Sequence, residues 1–155
     1  MTTTDQQARD FVAEAERQTN ERDVAAIRTV FAPDGRWTAI IDGMVVNAEG
    51  IDQIEREWAA MCAFMDTRRM FVSKSLVSFD EQTIVNEWTA RIGQSRRGRG
   101  IEVWHRGPDG SVVDQHLYGF LDPRGSTDPV QAMRMLSSHP RTVAAFVRAR
   151  RPSRQ

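Results

Sequence analysis

Residues 101–120 constrain the fold of this chain more than any other stretch. Two runs rich in β-branched and aromatic residues flank the sequence Gly-Pro-Asp-Gly at 107–110. An Asp-Gly pair between such runs is typical of a β-hairpin, because both central residues of its tight turn need positive φ angles. The sequence therefore predicts a hairpin with Asp109 and Gly110 as its two loop residues.

The predicted loop fixes the pairing of the two strands that flank it. The expected partners are Glu102 with Leu117, Trp104 with Gln115, and His105 with Asp114. Because successive side chains of a strand point to opposite faces, the two members of each pair share one face of the sheet. One face is predicted to carry Glu102, Trp104, Gln115 and Leu117, and the opposite face Val103, His105, Asp114 and His116.

Length and composition exclude several classes of protein. The chain has 155 residues and zero formal net charge, so we predict one main folded domain and expect neither nucleic acid nor an anionic membrane as a partner. It has no run of 18 apolar residues and no apolar stretch at its start, which favours a cytoplasmic location. The lone Cys62 is predicted to be a buried free thiol. Lys74 is the only lysine among 21 basic residues, and we interpret this as a bias of composition rather than a functional feature.

Helical patterns dominate the first part of the chain. Thr4 and Gln7 have the spacing of a capping box, and apolar residues then recur at helical spacing until the pattern lapses over 18–21. Asp23 would begin a second helix that ends where a proline and an Asp-Gly turn follow, at 33–35. A third helix would open at Asn47 or Glu49. Its buried stripe is Ile51, Ile54, Trp58, Met61 and Met65.

The remaining patterns favour strands and loops. The predicted strands cover residues 36–41, 44–46, 70–78 and 83–92, with Asp42 and Gly43 as the turn between the first two. The segment 93–100 is predicted to be a solvated loop that carries Arg96, Arg97 and Arg99. Without interleaved aromatic residues, this loop is a weak basis for nucleic-acid binding.

From residue 122 the chain changes in character. Proline, glycine and aspartate form a linker, two short helices are predicted at 130–136 and 142–147, and the end is basic and frayed. Its arginines are Arg148, Arg150, Arg151 and Arg154. We therefore divide the chain into a domain at 1–123 and a C-terminal extension at 124–155.

The order of elements, two helices, a short strand pair, a third helix and a long antiparallel meander, is that of an α+β fold. The motifs along it are Asn20-Glu21-Arg22-Asp23, Phe31-Ala32-Pro33-Asp34-Gly35, Ala48-Glu49-Gly50-Ile51, Glu102-Val103-Trp104 and Asp109-Gly110-Ser111-Val112-Val113. In this order they resemble the nuclear transport factor 2-like superfamily, which includes SnoaL-like and ketosteroid isomerase-like proteins. There the first two motifs usually have forms close to N-x-G-D and F-A-x-D. The resemblance covers residues 6–123.

The resemblance implies a curved antiparallel sheet wrapped round three helices of the N-terminal half, a cone-shaped, cystatin-like roll with a pocket at its mouth. It also implies a homodimer formed through the sheet face and a small apolar or cyclic ligand, and no cofactor is expected. Proteins of this fold include isomerases, cyclases, dehydratases, epoxide hydrolases and binding modules. Fold alone therefore does not decide the chemistry.

Most of the family's catalytic positions are not retained. The position of the isomerase base is Ala39, that of the oxyanion-binding tyrosine is near Ala15, and only the second oxyanion acid is kept, as Glu102. Without a base in reach of the substrate, steroid-type isomerisation by that route is not expected. The aspartate of SnoaL-type cyclases aligns with Leu117, and the Arg-x-Asp of the hydrolases with residues 88–90.

On the family's geometry, the inward sheet face suits an apolar ligand held by a few hydrogen bonds. Glu102 is the main catalytic candidate, because burial beside Trp88 and Trp104 would favour its neutral form and so proton transfer. Alternatively, Glu102 pairs with Gln115 or an arginine and is only structural. Asp42, at the pocket mouth, is the second catalytic candidate. The predicted ligand-binding residues are Trp37, Asn86, Trp88, Trp104, Gln115 and Leu117.

Three functional hypotheses remain open at this point. The first is an isomerase, cyclase or dehydratase acting on an apolar cyclic or polyketide-like substrate, and the second is a non-catalytic binding or interaction module of the same fold. The third makes the Arg-rich loop and chain end a contact for protein or nucleic acid. No metal is expected, because His105, His116 and Asp114 lie on one flat face that rarely lets three ligands converge.

Overall fold

The structure, a computed structural model, describes residues 4–121 and 129–149. The chain forms two compact units, Met1–Pro123 and Arg124–Gln155. In chain order the elements are α1 (Asp5–Glu21), α2 (Ile27–Val30), β1 (Phe31–Ile41), β2 (Met44–Glu49), α3 (Ile51–Thr67), β3 (Met70–Phe79), β4 (Thr83–Ile92), β5 (Ser95–Arg106), β6 (Val112–Phe120), α4 (Pro129–Ser138) and α5 (Pro140–Ala149). The predicted linker from 122 and the arginines from Arg150 onward lie outside the described residues.

The six strands form one curved, unclosed sheet in the order β2-β1-β6-β5-β4-β3. β1 and β6 pair in parallel, and all other neighbouring strands pair antiparallel. Side chains of α1 and α3 share hydrophobic cores with one face of this sheet, which we call the inner face. The predicted α+β class is therefore confirmed, and the parallel pairing of β1 with β6 is added to the expected antiparallel sheet.

The hairpin of β5 and β6 has the predicted register. Its central pairs are Glu102 with Leu117, Trp104 with Gln115, and His105 with Asp114. Glu102, Trp104 and Gln115 are buried on the inner face, as alternation along the strands predicts. The ladder shifts by a bulge between His105 and Arg106, next to the loop.

The loop of this hairpin differs from the predicted two-residue turn. The Gly110 N–H donates to the Gly107 carbonyl at 3.0 Å, and the Gly107 N–H donates to the Ser111 carbonyl at 2.8 Å, which closes a three-residue loop. Within it only Gly110 has a positive φ, of 88°. Pro108 is the cause, because it lacks the N–H that a two-residue loop would pair with Ser111, while its fixed φ suits the second position of a type I turn.

The predicted second helix, from Asp23 to Phe31, is reduced to the single turn α2. The Asp23 carboxylate accepts a hydrogen bond from the Ala26 N–H at 3.1 Å, and this closes a turn ahead of the short helix. Phe31 already belongs to β1, which starts before the predicted Arg36. The ladder with β6 is irregular between these two residues, which accommodates Pro33.

The predicted loop 93–100 is instead largely strand, because β5 begins at residue 95. Three glycines of β5 and β6, Gly98, Gly100 and Gly119, lie against the indole ring of Trp88. A Cβ at Gly98 would lie 3.2 Å from that ring, one at Gly100 2.6 Å, and one at Gly119 would overlap it. These glycines therefore make room for a large buried side chain rather than making the segment a loop.

Side chains of α1 cover the free edge of β3, which is the last strand of the sheet. The Asn20 amide accepts from the Val72 N–H at 2.9 Å and donates to the Val72 carbonyl at 2.8 Å, as a neighbouring strand would. The Glu16 carboxylate accepts from the Lys74 N–H at 2.6 Å. These bonds satisfy an edge that would otherwise be open to pairing with another chain, and they hold this part of β3 in place.

The C-terminal end of α1 completes this contact. The helix continues through the predicted lapse to Glu21 and ends at Arg22, whose φ of 58° is left-handed. The related motif usually has Gly there, which adopts this conformation without strain. Arg22 instead donates to the Met70 carbonyl of β3 at 2.6 Å and to Asp66 of α3 at 2.9 Å. At its other end α1 has the predicted capping box.

We expect Asn20→Ala to lower the free energy of unfolding by about 1–3 kcal/mol, because both backbone polar groups of Val72 lose their partner. Urea denaturation followed by circular dichroism measures this loss. Gln6→Ala is the matched control, since among the described residues the Gln6 side chain bonds only the exposed Asp10 of the same helix. It should change stability by less than about 0.5 kcal/mol. Equal losses in the two variants would contradict the role of Asn20 at the strand edge.

Two adjoining clusters of apolar side chains fill the inner face. The first is Ala8, Val12, Phe31, Trp37, Ala39, Ala48, Ile54, Ile84, Trp104 and Val112. The second is Ile41, Cys62, Met65, Met70, Val72, Trp88, Ala90 and Leu121. Cys62 is a buried free thiol, as predicted, and its burial raises the pKa of the thiol to about 11. A thiol that holds its proton this strongly is chemically inert.

The outer face of the sheet carries exposed apolar side chains. They include Val45, Phe71, Ile101, Tyr118 and Phe120. The homodimer expected through this face stays a prediction. Across the described ranges, the helices are too short or too polar to cross a membrane.

Candidate functional site

A buried ion pair lies on the inner face of the sheet. Lys74 Nζ is 2.8 Å from Oε2 and 3.0 Å from Oε1 of Glu102, and the two side chains are only 3% and 5% exposed. Lys74 lies on β3 and Glu102 on β5, with β4 between them. Alternation along β3 points Lys74 to the same face as Met70 and Val72, which are both buried. Charges this deeply buried persist in a protein only when they are paired.

The strand between the two charges supplies a third polar group. Asn86 of β4 pairs with Glu102 in the ladder, and its Nδ2 donates to Glu102 Oε2 at 2.8 Å. Its Oδ1 accepts from Trp104 Nε1 at 2.7 Å, so the fully buried amide is bonded on both sides. Lys74 Nζ also lies 5.5 Å from the centre of a Trp104 ring, within the range of a cation–π contact. This network fixes the orientation of the Glu102 carboxylate.

Two cavities meet at the ion pair. The larger has a volume of about 110 Å³ and the smaller about 40 Å³. Both are bounded by Thr19, Trp58, Lys74, Glu102 and Leu117. Apart from the ion pair their walls are mainly apolar and aromatic. An apolar cavity of about 150 Å³ can bind a benzene-sized molecule, and only the two cavities together reach that volume.

Most of the predicted ligand-binding residues line these cavities. Trp37, Trp104, Gln115 and Leu117 line the larger cavity, and Trp88 and Leu117 the smaller one. Asn86 lines neither, because it lies behind Glu102 and supports the carboxylate. Ala39 and Ala15, at the family's catalytic positions, offer no polar group.

Among the described residues, two polar groups near the larger cavity have no protein partner. The Gln115 side chain is buried and lines the cavity, and its amide has no hydrogen bond within the described part of the chain. Trp37 Nε1 is likewise buried without a partner among those residues. Buried polar groups are normally bonded, so such groups beside a cavity are available to a ligand or to water.

Glu14, at the exposed side of the larger cavity, is the second acid in its lining. A hydrogen bond from the Arg17 guanidinium lowers the pKa of the Glu14 carboxyl to about 2. Glu14 therefore remains ionised at neutral pH and is a poor proton donor. Glu102 is the buried one of the two acids and the better candidate for acid–base chemistry.

Asp42, the second predicted catalytic acid, lies outside the cavity linings given above. Asp42 and Gly43 form the predicted tight turn between β1 and β2, with φ angles of 50° and 84°. The Asp42 Oδ2 accepts a hydrogen bond from the Leu121 N–H at 3.0 Å. The carboxylate thus ties the chain after β6 to this turn, and a catalytic role for Asp42 stays a prediction.

Lys74 is the functional candidate that the sequence interpretation missed. Composition alone explains its rarity without a functional role, and the partners expected for Glu102 are only Gln115 or an arginine. A signal is nevertheless present in the sequence. All the basic residues but one are arginine, and the single lysine lies in a predicted strand. Lysine and arginine are not equivalent at a buried site, because only the lysine amine readily loses its proton.

Two histidines, His105 and His116, lie on the outer face of the sheet. His116 Nε2 lies 3.2 Å from the Asp114 carboxylate, and the ring of His105 is 6.3 Å from that of His116. Within residues 4–121 and 129–149, no group of three His, Cys, Asp or Glu side chains is placed to hold a metal ion.

A sequence profile decides the family. The profile of the SnoaL-like domain matches residues 8–115, which is more than half of the chain. The chain belongs to the SnoaL-like domain family. The SnoaL-like region runs from α1 into β6 and so contains the ion pair, the Asn86 network and every lining residue of the two cavities except Leu117. No curated protein matches the sequence.

Solved structures share the SnoaL-like fold at low sequence identity. The epoxide hydrolase/cyclase-like enzyme SalBIII, described in pyran ring formation in polyether salinomycin, has a TM-score of 0.56 and 19% identity over 74% of this chain and 91% of its own. A steroid delta-isomerase from Pseudomonas aeruginosa has a TM-score of 0.51 and 17% identity over 90% and 93%. A cystatin-like protein of unknown function from Methylobium petroleophilum has a TM-score of 0.58 and 20% identity over 79% and 81%. Identities this low show the fold alone.

Proposed function

We propose that this SnoaL-like protein is an acid–base enzyme, an isomerase, cyclase or dehydratase, that acts on a small apolar, cyclic or polyketide-like molecule. Glu102 would transfer the proton, and Gln115 would orient the ligand. The proposal depends on one observation, a buried carboxylate at the wall of an apolar cavity with its charge balanced by Lys74 at 2.8 Å.

The walls of the two cavities support a ligand of this class. Aromatic and aliphatic side chains surround the space, and few polar groups are available to fix the orientation of a ligand. Such a composition is typical of sites that bind an apolar ring with one or two oxygen atoms. Two proteins of the same fold are named for related chemistry, SalBIII as a cyclase-like enzyme and the Pseudomonas protein as a steroid isomerase.

The geometry of Glu102 supports proton transfer. Asn86 and Lys74 both donate to Oε2, whereas Oε1 accepts only from Lys74 among the described residues. Oε1 therefore retains acceptor capacity for a proton of the ligand. A carboxylate held in one orientation before the reaction loses no freedom when the ligand binds, which favours catalysis.

The experiment begins with a panel of apolar cyclic and polyketide-like ketones, alcohols and epoxides. Binding is followed by the quenching of tryptophan fluorescence, and turnover by mass spectrometry and by deuterium exchange at acidic C–H positions. For a compound that is turned over, we expect Glu102→Gln to lower kcat by about 10²- to 10⁴-fold, the usual contribution of a general acid or base. Glu21→Gln is the matched control and should leave kcat within about twofold, because Glu21 is exposed on α1 and lines neither cavity.

A second candidate function is a non-catalytic ligand-binding module of the same fold. The observation in its favour is that the carboxylate of Glu102 already has donors on both oxygens, so the acid can be purely structural. Tight binding of panel compounds without any turnover would support this function. Wild-type turnover by Glu102→Gln would remove Glu102 from the mechanism.

A further inference from the structure

We propose that Lys74 is a nucleophile that forms an imine with a carbonyl group of the ligand, so that the substrate class is apolar cyclic aldehydes and ketones. This inference rests on the proposed function in using the same cavities and the same Glu102. It goes further because it assigns a covalent step to Lys74. Acid–base catalysis by Glu102 needs only the positive charge of that lysine.

The position of Lys74 is the first observation. Its ammonium group lies at the wall where the two cavities meet, and its side chain is 3% exposed to solvent. Both hydrogen bonds of Nζ go to the Glu102 carboxylate. Among the described residues, at least one of its three N–H bonds therefore has no partner. A carbonyl oxygen in the cavity is the kind of group that this free donor would attract.

The apolar surroundings of the pair are the second observation. A lysine amine is activated by desolvation, and an adjacent carboxylate can take the proton that the ammonium must lose. When an apolar ligand displaces water from the cavity, separated charges become more costly relative to a neutral amine and a neutral acid. Transfer of one proton from Lys74 Nζ to Glu102 over 2.8 Å yields that neutral pair. The lone pair of the amine then becomes free to react.

The proposed step balances in atoms and charge. The Lys74 ammonium gives one proton to Glu102, and the amine nitrogen attacks the carbonyl carbon as the C=O π bond breaks. A second proton moves from nitrogen to the former carbonyl oxygen, which gives a carbinolamine. Glu102 returns its proton to the hydroxyl group, water leaves, and a protonated imine remains on Lys74. Water reverses the step, so no oxidant or other reactant is consumed.

The rest of the structure supports lysine as a reactive group rather than a simple counter-ion. Lys74 is the only lysine in the sequence, and the other 20 basic residues are arginine, which cannot form an imine at neutral pH. The backbone of Lys74 is fixed by Glu16 at 2.6 Å, so the flexible side chain is anchored at its base. Trp104 and Leu117 beside it would hold a ring close to the amine.

The experiment traps the imine by reduction. The Arg9→Lys variant has one added exposed amine, since Arg9 is 60% exposed on α1, and it thus contains an internal reference beside Lys74. This variant is incubated with cyclohexanecarboxaldehyde, benzaldehyde or a fused-ring ketone and with cyanoborohydride. Peptide mass spectrometry then measures the rate of modification at each lysine. We expect Lys74 to be modified at least tenfold faster than the introduced amine.

Two variants separate this proposal from the proposed function. Lys74→Arg keeps the positive charge and should abolish the adduct at position 74. Glu102→Gln in the same background should slow modification of Lys74 at least tenfold without affecting the exposed amine. Modification of Lys74 no faster than that of the exposed amine with every probe would overturn the imine. In that case the acid–base function would still stand if turnover continued to depend on Glu102. The acid–base function would fail by itself if Glu102→Gln kept its turnover while Lys74 formed the adduct.

Discussion

Lys74→Met should lower the free energy of unfolding by about 3–5 kcal/mol, because it leaves the Glu102 carboxylate buried without its counter-charge. The two side chains are 3% and 5% exposed, so little bulk solvent reaches the unpaired carboxylate. Asn86 remains as a donor to Glu102 at 2.8 Å, but one neutral hydrogen bond does not balance a full charge. Guanidinium denaturation of the purified variant measures the loss.

A double variant distinguishes an unpaired charge from a simple loss of packing. Lys74→Met combined with Glu102→Gln removes both charges and keeps an amide oxygen that Asn86 can bond. We expect the pair of substitutions to recover at least half of the stability lost in Lys74→Met, since neutral replacements of buried ion pairs are often tolerated. An additive loss in the double variant would show that the pair contributes through packing and not through charge. Arg9→Gln removes an exposed ion pair with Asp5 and should cost less than about 1 kcal/mol.

Gly100→Ala is expected to have the second large effect, a loss of about 3 kcal/mol or more in the free energy of unfolding. The added Cβ would overlap the carbonyl oxygen of Tyr118 on the neighbouring strand and lie 2.6 Å from two atoms of the Trp88 ring. The backbone of a central strand pair cannot withdraw without breaking ladder hydrogen bonds. Overpacking of a well-filled core costs about 1–3 kcal/mol, and a clash with backbone belongs at the upper end or beyond.

Gly119→Ala is the matched variant, because its added Cβ would clash mainly with the side chain of Trp88, and its nearest backbone atom is 3.4 Å away. Replacing the indole ring with a smaller side chain, in the double variant Gly119→Ala/Trp88→Leu, should therefore recover part of the lost stability. A double-mutant cycle measures this recovery as a favourable coupling energy. The same Trp88→Leu change should relieve less of the cost of Gly100→Ala. Equal rescue at both positions would contradict the assignment of the Gly100 clash to the Tyr118 backbone.

The same dipeptide, Asp-Gly, shows how far local sequence patterns determine this fold. At Asp42-Gly43 both residues have positive φ angles and form the predicted two-residue turn. At 109–110 the preceding Pro108 changes the loop to three residues, and a bulge beside His105 compensates, so the register of the hairpin is still as predicted. Turn chemistry is local, and a prediction from it fails only where a neighbour such as proline alters the available hydrogen bonds.

The glycines of segment 93–100 predict its secondary structure less well than the Asp-Gly pairs predict the turns. Segment 93–100 contains Gly93, Gly98 and Gly100, which favour a loop when each is considered by its own flexibility. Two of these glycines instead lie in β5 under the ring of Trp88, a residue of the neighbouring strand. The requirement for glycine arises from a tertiary contact, and a local sequence pattern contains no information about which large side chain will cover the strand.

The α+β class, the hairpin register and the inward direction of Glu102 follow from the amino-acid sequence alone. Each of these depends on the two-residue period of a strand or on a turn, and both act over a few neighbouring residues. Tertiary structure alone decided that Lys74 is the partner of Glu102, at a separation of 28 residues and across an intervening strand. Their distance follows from strand order, from the docking of α1 on the edge of β3, and from the exclusion of water that makes an opposite charge necessary. For this reason the candidate acid could be found in the sequence, whereas the amine that completes the site could not.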